Sequence, residues 1–314
     1  MGHAFRFTVY HIRMVIMGAF WRKLSRWNIL QLGRLHQYAP RPLRVERFPQ
    51  VYDPVHEWPV IAMVIPSYQQ GHFIERTLNS VLSQNYPALI CTVQDGGSKD
   101  DTTTVLDRYA DRLAPCVSAR DQGQADAIVK GFVRIQGDVM AWLNADDMLM
   151  PGALDYVGRY FAEHPEVDVV YGHRVMIDAH DQEIGRWVMP EYDAHTIRWI
   201  DYVPQETLFW RRRIWEKAGG VDPSFHFALD WDLLLRFRAA GATIRRLPYY
   251  LGCFRVHPNQ KTQAELPTWR REVNLLHHRE HGRPPTKEEI SYWTRRTQSR
   301  GAWCALLLRF GMRR

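Results

Sequence analysis

The run WLNADD (142–147) ends an apolar stretch in an amide and two adjacent carboxylates, Asn144, Asp146 and Asp147. Acids at the tip of a buried strand make an oxygen cluster that takes Mg2+ or Mn2+ through one or two carboxylates, with diphosphate oxygens and water completing the shell. The plainer reading of the same residues is a solvated loop capping the helix that follows. VQDGGSKDDT (93–102) puts Asp95 before two glycines, where its carboxylate can accept a hydrogen bond from a ribose hydroxyl or a base N–H. A turn with a helix N-cap explains that stretch equally well. In IPSYQQG (65–71), Pro66 would end a strand and Gly71 would let a helix amino terminus face an anion, or the stretch is an ordinary strand-to-helix loop.

These residues need elements to hold them, and the pattern from residue 60 supplies them by alternation. Apolar runs of strand length, VIAMVIPSY, LICTVQDGG, APCVSAR, DVMAWLNADD and VDVVYGH, are separated by segments of helical period. FIERTLNSVLSQ, for example, places Ile74, Leu78, Val81 and Leu82 on one face. Strand, helix and strand at this spacing predict βαβ units and a mostly parallel sheet, whose strands read as unbroken apolar runs. Ligands of such sheets lie at the carboxyl ends of the strands. Ser67, Tyr68, Asp95, Asp121, Asn144, Asp146 and Asp147 all fall there. Beyond about residue 178 the alternation fades into two further strands, EIGRWVMP and ATIRRLPYYLGCFRVH, and a helix, ALDWDLLLRFRAAG, that opens with acids and stops at Gly241.

Charge is distributed unevenly. Residues 1–50 carry nine Lys/Arg against the single acid Glu46, residues 264–314 carry eleven against five acids, and the middle is net acidic. Basic ends that also hold Trp, Phe and Leu suit contact with an anionic membrane interface, or simple packing with solvated Arg faces. The N-terminal stretch 5–24 is too charged for a membrane span. Four scattered cysteines signal neither a zinc site nor a disulfide framework, which fits a reducing cytosol. No GxxxxGK[ST] and no GxGxxG after the first strand occur, so neither a P-loop nor a dinucleotide-binding domain is indicated. No nucleic-acid-binding module is recognisable. A Pro-rich connector at 38–59 reads as an extended linker. The expected organisation is an N-terminal arm and linker (1–59), a nucleotide-binding half (60–178), a second half of the same domain (179–263) and a basic helical extension (264–314).

VIPSYQQ, TVQDGGSKDDT, RDQGQADAIVKGF, GDVMAWLNADDMLMPGAL, YGHR, PQETLFWRRRIWEKAGGVDPSFHFALDWDLLLR and FRVH, in this order over residues 60–263, resemble the family 2 glycosyltransferases. The resemblance implies an α/β GT-A fold, Rossmann-like, with a mostly parallel central sheet flanked by helices and here extended by basic helical ends. It implies an inverting transferase that moves a sugar from a nucleotide-diphosphate donor to a hydroxyl of a glycan or polyprenyl-linked glycan. Pro66, Ser67 and Tyr68 then match the turn lining the nucleotide, Asp95 the carboxylate that reads the base, and Asp121 and Gln124 the segment beneath ribose and diphosphate. Asn144 stands for the first acid of the DxD motif, Asp146 for the carboxylate that holds Mg2+ or Mn2+, and Asp147 for a direct or supporting ligand. His257 matches a histidine near the diphosphate or metal. Asp230 matches the catalytic base, with Leu229 where the family has Glu, and Asp232 is a second candidate. Gln205 and Glu206 match the acceptor side, and Arg211 to Arg213 offer a phosphate contact or a solvated surface. A non-catalytic nucleotide-sugar binder and a sugar-phosphate nucleotidyltransferase are the competing expectations. The expected location is cytoplasmic, with peripheral contact on the inner membrane face.

Overall fold

A computed structural model of the chain describes residues 32–49, 57–258, 260 and 266–313. The aromatic, basic stretch at 5–24 lies outside the described residues. Strand β1 (Ile61–Ser67) is buried along its whole length. It pairs in parallel with β2 (Leu89–Asp95) on one side and β4 (Val139–Trp142) on the other, and β3 (Val117–Ser118) extends β2 in parallel. Alternation along β1 sends Ile61, Met63 and Ile65 into one core layer and Ala62 and Val64 into the other. Helices α1 (Ile74–Leu82), α2 (Thr102–Arg108) and α3 (Gln124–Arg134) are the crossovers between these strands. A Cβ at Gly131 of α3 would lie 2.4 Å from a methyl of Val64, so only glycine lets α3 sit this close to β1. Pro66 does not end the strand as expected. Pairing to β4 stops at Val64, so the missing N–H of Pro66 costs no ladder bond on that side, and β1 runs on to Ser67.

The second half is mixed. Strand β8 (Phe209–Arg211) enters antiparallel between β4 and β6 (Val169–Ile177), β6 pairs in parallel with β9 (Ile244–Arg255), and β5 (Met148–Leu149) and β7 (Glu183–Trp187) add antiparallel edges. Helices α4 (Ala153–Glu163), α5 (Arg212–Ala218) and α6 (Leu229–Ala239) complete the domain. β5, β8 and α5 were not anticipated, because each is short and lies outside the strand–helix alternation by which the other elements were read. Arg211, Arg212 and Arg213 do not stand at the strand tips to contact a phosphate, and Arg213, its side chain 54% exposed, fits the solvated surface that was the other expectation. Their guanidinium groups donate to carbonyls of Phe161, Val167, Gly137 and Pro165, tying the amino ends of β4 and β6, far from the strand tips.

The expected linker is in part a docked segment. Gln37 and Tyr38 donate to the Ile184 carbonyl, and Arg41 exchanges backbone hydrogen bonds with Glu183. At the C-terminal end lie two helices, α7 (Leu266–His281) and α8 (Lys287–Arg309), and α8 opens with a capping box between Thr286 and Glu289. Both pack on the domain: Trp199 stacks on His281 at 3.6 Å and on Trp293 at 6.0 Å. Among the described residues no helix is long and apolar enough to cross a membrane.

Candidate active site

The tips of β4, β6 and β9, the 3-10 turn Gln205–Thr207 and the start of α6 surround a cavity of about 170 Å3. The turn after β4 is tightly held. Thr77 of α1 donates to the carbonyls of Ala145 and Asp147 at 2.8 and 2.7 Å, and the Arg255 guanidinium donates to the Asp146 carbonyl at 2.6 Å. That grip turns the Asp146 carboxylate toward β9, where its Oδ2 lies 3.0 Å from Nε2 of His257, a ring packed 4.7 Å from Phe73. Asp146 faces the cavity and His257 is nearly buried beside it.

Asp147 is differently placed. It is buried, its Oδ1 accepts the backbone N–H of Arg255 at 2.9 Å, and its Oδ2 accepts the Asn144 amide at 3.3 Å. Burial, then the charges of Asp146 and Glu206, push its carboxyl well above the ordinary range. Asn144 therefore has a definite task here. Its amide N–H2 donates to Asp147 while its oxygen accepts from Gln124 at 2.7 Å. An aspartate at 144 could make neither the donation nor a neutral neighbour for Asp147.

On the opposite wall, Asp230 stands in the first turn of α6 and is partly exposed, with Leu229 and Phe227 beside it on the lining. Enclosure by the surrounding walls raises its carboxyl above the usual value. The backbone N–H of Trp231 and the charge of Arg174 pull the other way, and Glu206 adds to the rise. Glu206 is buried and bridged twice by Arg174, at 2.7 and 2.6 Å, with the guanidinium 4.5 Å over the ring of Phe254. Gln205 donates to the Trp142 carbonyl at 2.8 Å, and its Oε1 has no partner among the described residues. Two contributors escaped the sequence reading, Arg174 and Asp201. Asp201, exposed on the loop before the Gln205 turn, has its carboxyl raised by the protein beside it and by the charge of Asp230, while Arg174 opposes the rise. Because Asp201 keeps solvent exposure, the Asp230 charge is the firmer cause. Neither residue belongs to a periodic or charged motif; YGHR contained Arg174 without marking its role.

Several expected residues do other work. Asp232 is fully buried, with Oδ2 bound by Arg236 and Oδ1 by Arg279 at 2.6 Å each, so it does not reach the cavity and cannot serve as a second base. Asp95 is fully buried too. Its carboxylate accepts from the backbone N–H groups of Gly97 and Ser98 and from the hydroxyls of Ser98 and Ser118, which leaves no oxygen free to read a base in this conformation. The loop amides before α1 are taken by side chains: Gln69, Gln70 and Gly71 donate to Ser98, Thr102 and Asp100. What does open to solvent is Tyr68, 62% exposed, with the Asp121 carboxylate across Gly96 from it. A Cβ on Gly96 would stand 3.2 Å from both, so glycine keeps this shallow cradle open. Ser67 turns its hydroxyl inward and Pro66 is buried, so both support the turn from behind.

The family model for glycosyl transferase family 2 matches residues 62–221, half of the chain. The chain belongs to this family. It is 29% identical over 216 residues to an uncharacterized glycosyltransferase of Nostoc sp., covering 63% of this chain and 65% of that protein. It is 28% identical over 211 residues to the O-antigen biosynthesis protein RfbC of Myxococcus xanthus, covering 66% of this chain but only 16% of the relative. The matched region thus spans less than two thirds of both relatives. A PGL/p-HBAD biosynthesis glycosyltransferase of Mycobacterium bovis is 24% identical, covering 60% of this chain and 73% of that protein. Among solved structures, S. aureus TarS in complex with UDP-GlcNAc superposes with a TM-score of 0.59 at 16% identity, covering 76% of this chain and 73% of that one. The mannosyltransferase PcManGT of Pyrobaculum calidifontis, in complex with GDP-Man and Mn2+, gives 0.54 at 16% identity, covering 93% and 86%. The fold is therefore GT-A.

Proposed function

We propose that this protein is a glycosyltransferase that moves a sugar, with inversion, from a nucleotide-diphosphate donor to a hydroxyl of a glycan or polyprenyl-linked glycan. The observation that carries the reading is the shared cavity: Asp146 lines one wall and Asp230 another, so a diphosphate at the first leaves its anomeric carbon within reach of a hydroxyl at the second. Residues 60–178 take the donor and 179–263 the acceptor. Tyr68 and Asp121 flank the nucleotide, Gln124 and Asn144 face ribose and diphosphate, and Gln205 and Glu206 line the acceptor side.

Asp230 takes the acceptor proton. Its raised carboxyl makes it a stronger base than an exposed aspartate, and Arg174 balances the carboxylates around it. As the proton leaves, the acceptor oxygen attacks the anomeric carbon from the face opposite the departing nucleotide, which inverts the centre.

The donor set suits a hard divalent ion. Asp146 Oδ2 and His257 Nε2 converge to 3.0 Å, and no group of three His, Cys, Asp or Glu forms among the described residues. Two protein ligands with substrate phosphates and water are the usual holding of Mg2+, and Mn2+ accepts the imidazole more readily. An ion held there offsets charge on the leaving diphosphate. Asp147 then braces the turn from the second rank. The complexes of TarS with UDP-GlcNAc and of PcManGT with GDP-Man and Mn2+ support this reading.

Peripheral membrane contact rests on α8 and the segment after it, where Tyr292, Trp303 and Phe310 are exposed at spacings of eleven and seven residues, one face of a helix, with Arg295 and Arg309 exposed nearby. The test of the whole reading is a thermal-shift screen of UDP-, GDP- and dTDP-sugars with and without Mn2+, followed by transfer with the responding donor. Metal-dependent stabilisation and release of a nucleoside diphosphate support it; stabilisation without any turnover supports a non-catalytic binder, and release of diphosphate from a nucleoside triphosphate supplied with a sugar phosphate supports nucleotidyl transfer.

A further inference from the structure

Helix α6 begins without a cap of its own. Its N-cap residue is Ala228, whose methyl can accept nothing, so no side chain at the cap fixes the turn that leads into the helix. That turn is held instead from the C-terminal extension. Glu272 of α7 is 3% exposed; its Oε1 accepts the N–H of His226 at 2.8 Å, and its Oε2 accepts those of Phe227 at 2.8 Å and Ala228 at 2.9 Å. Three consecutive amides closing on one carboxylate define the path of the backbone into α6, and the next residues on that path, Leu229 and Asp230, form the cavity wall. A second tie follows about two turns later on α7 and one turn into α6, where Arg279 binds Asp232 at 2.6 Å.

We infer that Glu272 is a positioning residue for the transfer reaction: by gripping residues 226–228 it sets where the Asp230 carboxylate points in the cavity. The inference rests on the reading of Asp230 as the base. Glu272 touches neither Asp146, His257 nor the Tyr68 cradle, so its effect falls on the chemical step and leaves donor and metal binding alone. A glutamine at 272 keeps shape and volume but offers one acceptor oxygen, and its amide N–H2 must face at least one of the three donors. The turn then opens, and Asp230 loses both its aim and part of its enclosure. The charged groups that face Asp230, namely Arg174 of β6, Glu206 of the 3-10 turn and Asp201 of the preceding loop, are untouched by the change.

The experiment compares wild type and Glu272→Gln in the full chain, following donor hydrolysis or transfer with UDP-GlcNAc, UDP-glucose and GDP-mannose in Mn2+, together with amide hydrogen exchange of residues 226–228. The expected result is slow exchange of these amides in the wild type. In the variant they exchange faster, kcat falls about tenfold to a hundredfold at unchanged donor KM, and the acid limb of the pH–rate profile moves to lower pH as Asp230 gains solvent. A merely structural glutamate would lower the melting temperature and leave KM, kcat per folded molecule and the acid limb where they are, and that result overturns the inference. Where Glu272→Gln does not fold, Glu272→Asp, which keeps the charge and withdraws the carboxylate by one methylene, carries the same reading. Rapid exchange of the 226–228 amides in the wild type overturns the inference without any variant. If the wild type turns over no donor, the transferase reading fails by itself, and the exchange measurement still decides the clamp.

Discussion

Glu183 and Asp230 are carboxylates enclosed by the same domain, and their surroundings drive them in opposite directions. Glu183, fully buried where the segment 37–44 docks on β7, is met by Tyr38 at 2.6 Å, Arg41 at 2.7 Å, the Arg44 backbone N–H at 3.1 Å and Arg186 at 3.0 and 2.7 Å. Burial pushes its carboxyl up, but the hydrogen bonds from Arg186, Tyr38 and Arg41 outweigh it and hold it down at about 2. Among the described residues Asp230 meets only backbone N–H groups, its own and that of Trp231, and it shares the cavity with Glu206 and Asp147, so enclosure wins and its carboxyl rises. A carboxylate saturated with donors is a staple; one left short of them keeps a lone pair for a proton.

Substitutions sharpen or break this contrast, and the largest effect belongs to the cavity. Asp230→Asn lowers the transfer rate on the order of 10^3-fold with the donor-dependent thermal shift retained; a loss below about tenfold would remove Asp230 from the chemistry. Next comes the staple. Glu183→Ala leaves Arg41 and Arg186 without their acceptor and costs about 3 kcal/mol of stability, read from denaturant melts at neutral pH. The sign follows from the lowered carboxyl: its contribution is complete above the ordinary value of 4.5 and is lost as pH falls through about 2, so wild type and variant converge in acid.

A smaller change is expected at the β4 tip. Asp146→Asn weakens donor binding about tenfold to a hundredfold in Mn2+ and leaves the unliganded melting temperature close to wild type, as isothermal titration and thermal shift would show. Asn144→Asp sets a second carboxylate against Asp147 and removes its amide donor, costing about 1 kcal/mol of stability that returns as pH is lowered. The smallest effect is on stability at Asp230 itself. A raised carboxyl contributes fully below the ordinary aspartate value and loses that contribution as pH rises through the folded-state value, so Asp230→Asn melts slightly higher than wild type at neutral pH and not in acid.

Much of this was legible in the sequence. The apolar runs marked β1, β2, β4, β6 and β9, and strand tips in a parallel sheet led to Asn144, Asp146 and the Tyr68–Asp121 cradle. Burial was not legible, and it separates Asp146, which opens to the cavity, from Asp95, which looked equivalent and is closed off by four donors. Asp232 stood as a second candidate behind Asp230, two residues away, but such a spacing turns side chains to different faces of a helix, and Arg236 and Arg279 claim it. Asp201, Arg174 and Glu272 reach the site through long-range packing from segments with no local signature.

The contrast between staple and base is tested most directly by the pH dependence of donor-saturated transfer in the wild type and in Asp230→Asn. The wild-type rate should rise through an acid limb centred above the ordinary aspartate value of about 4, and that limb should vanish from the residual rate of the variant. A limb at or below that value, or one that persists unchanged without Asp230, would contradict the assignment of Asp230 as the base.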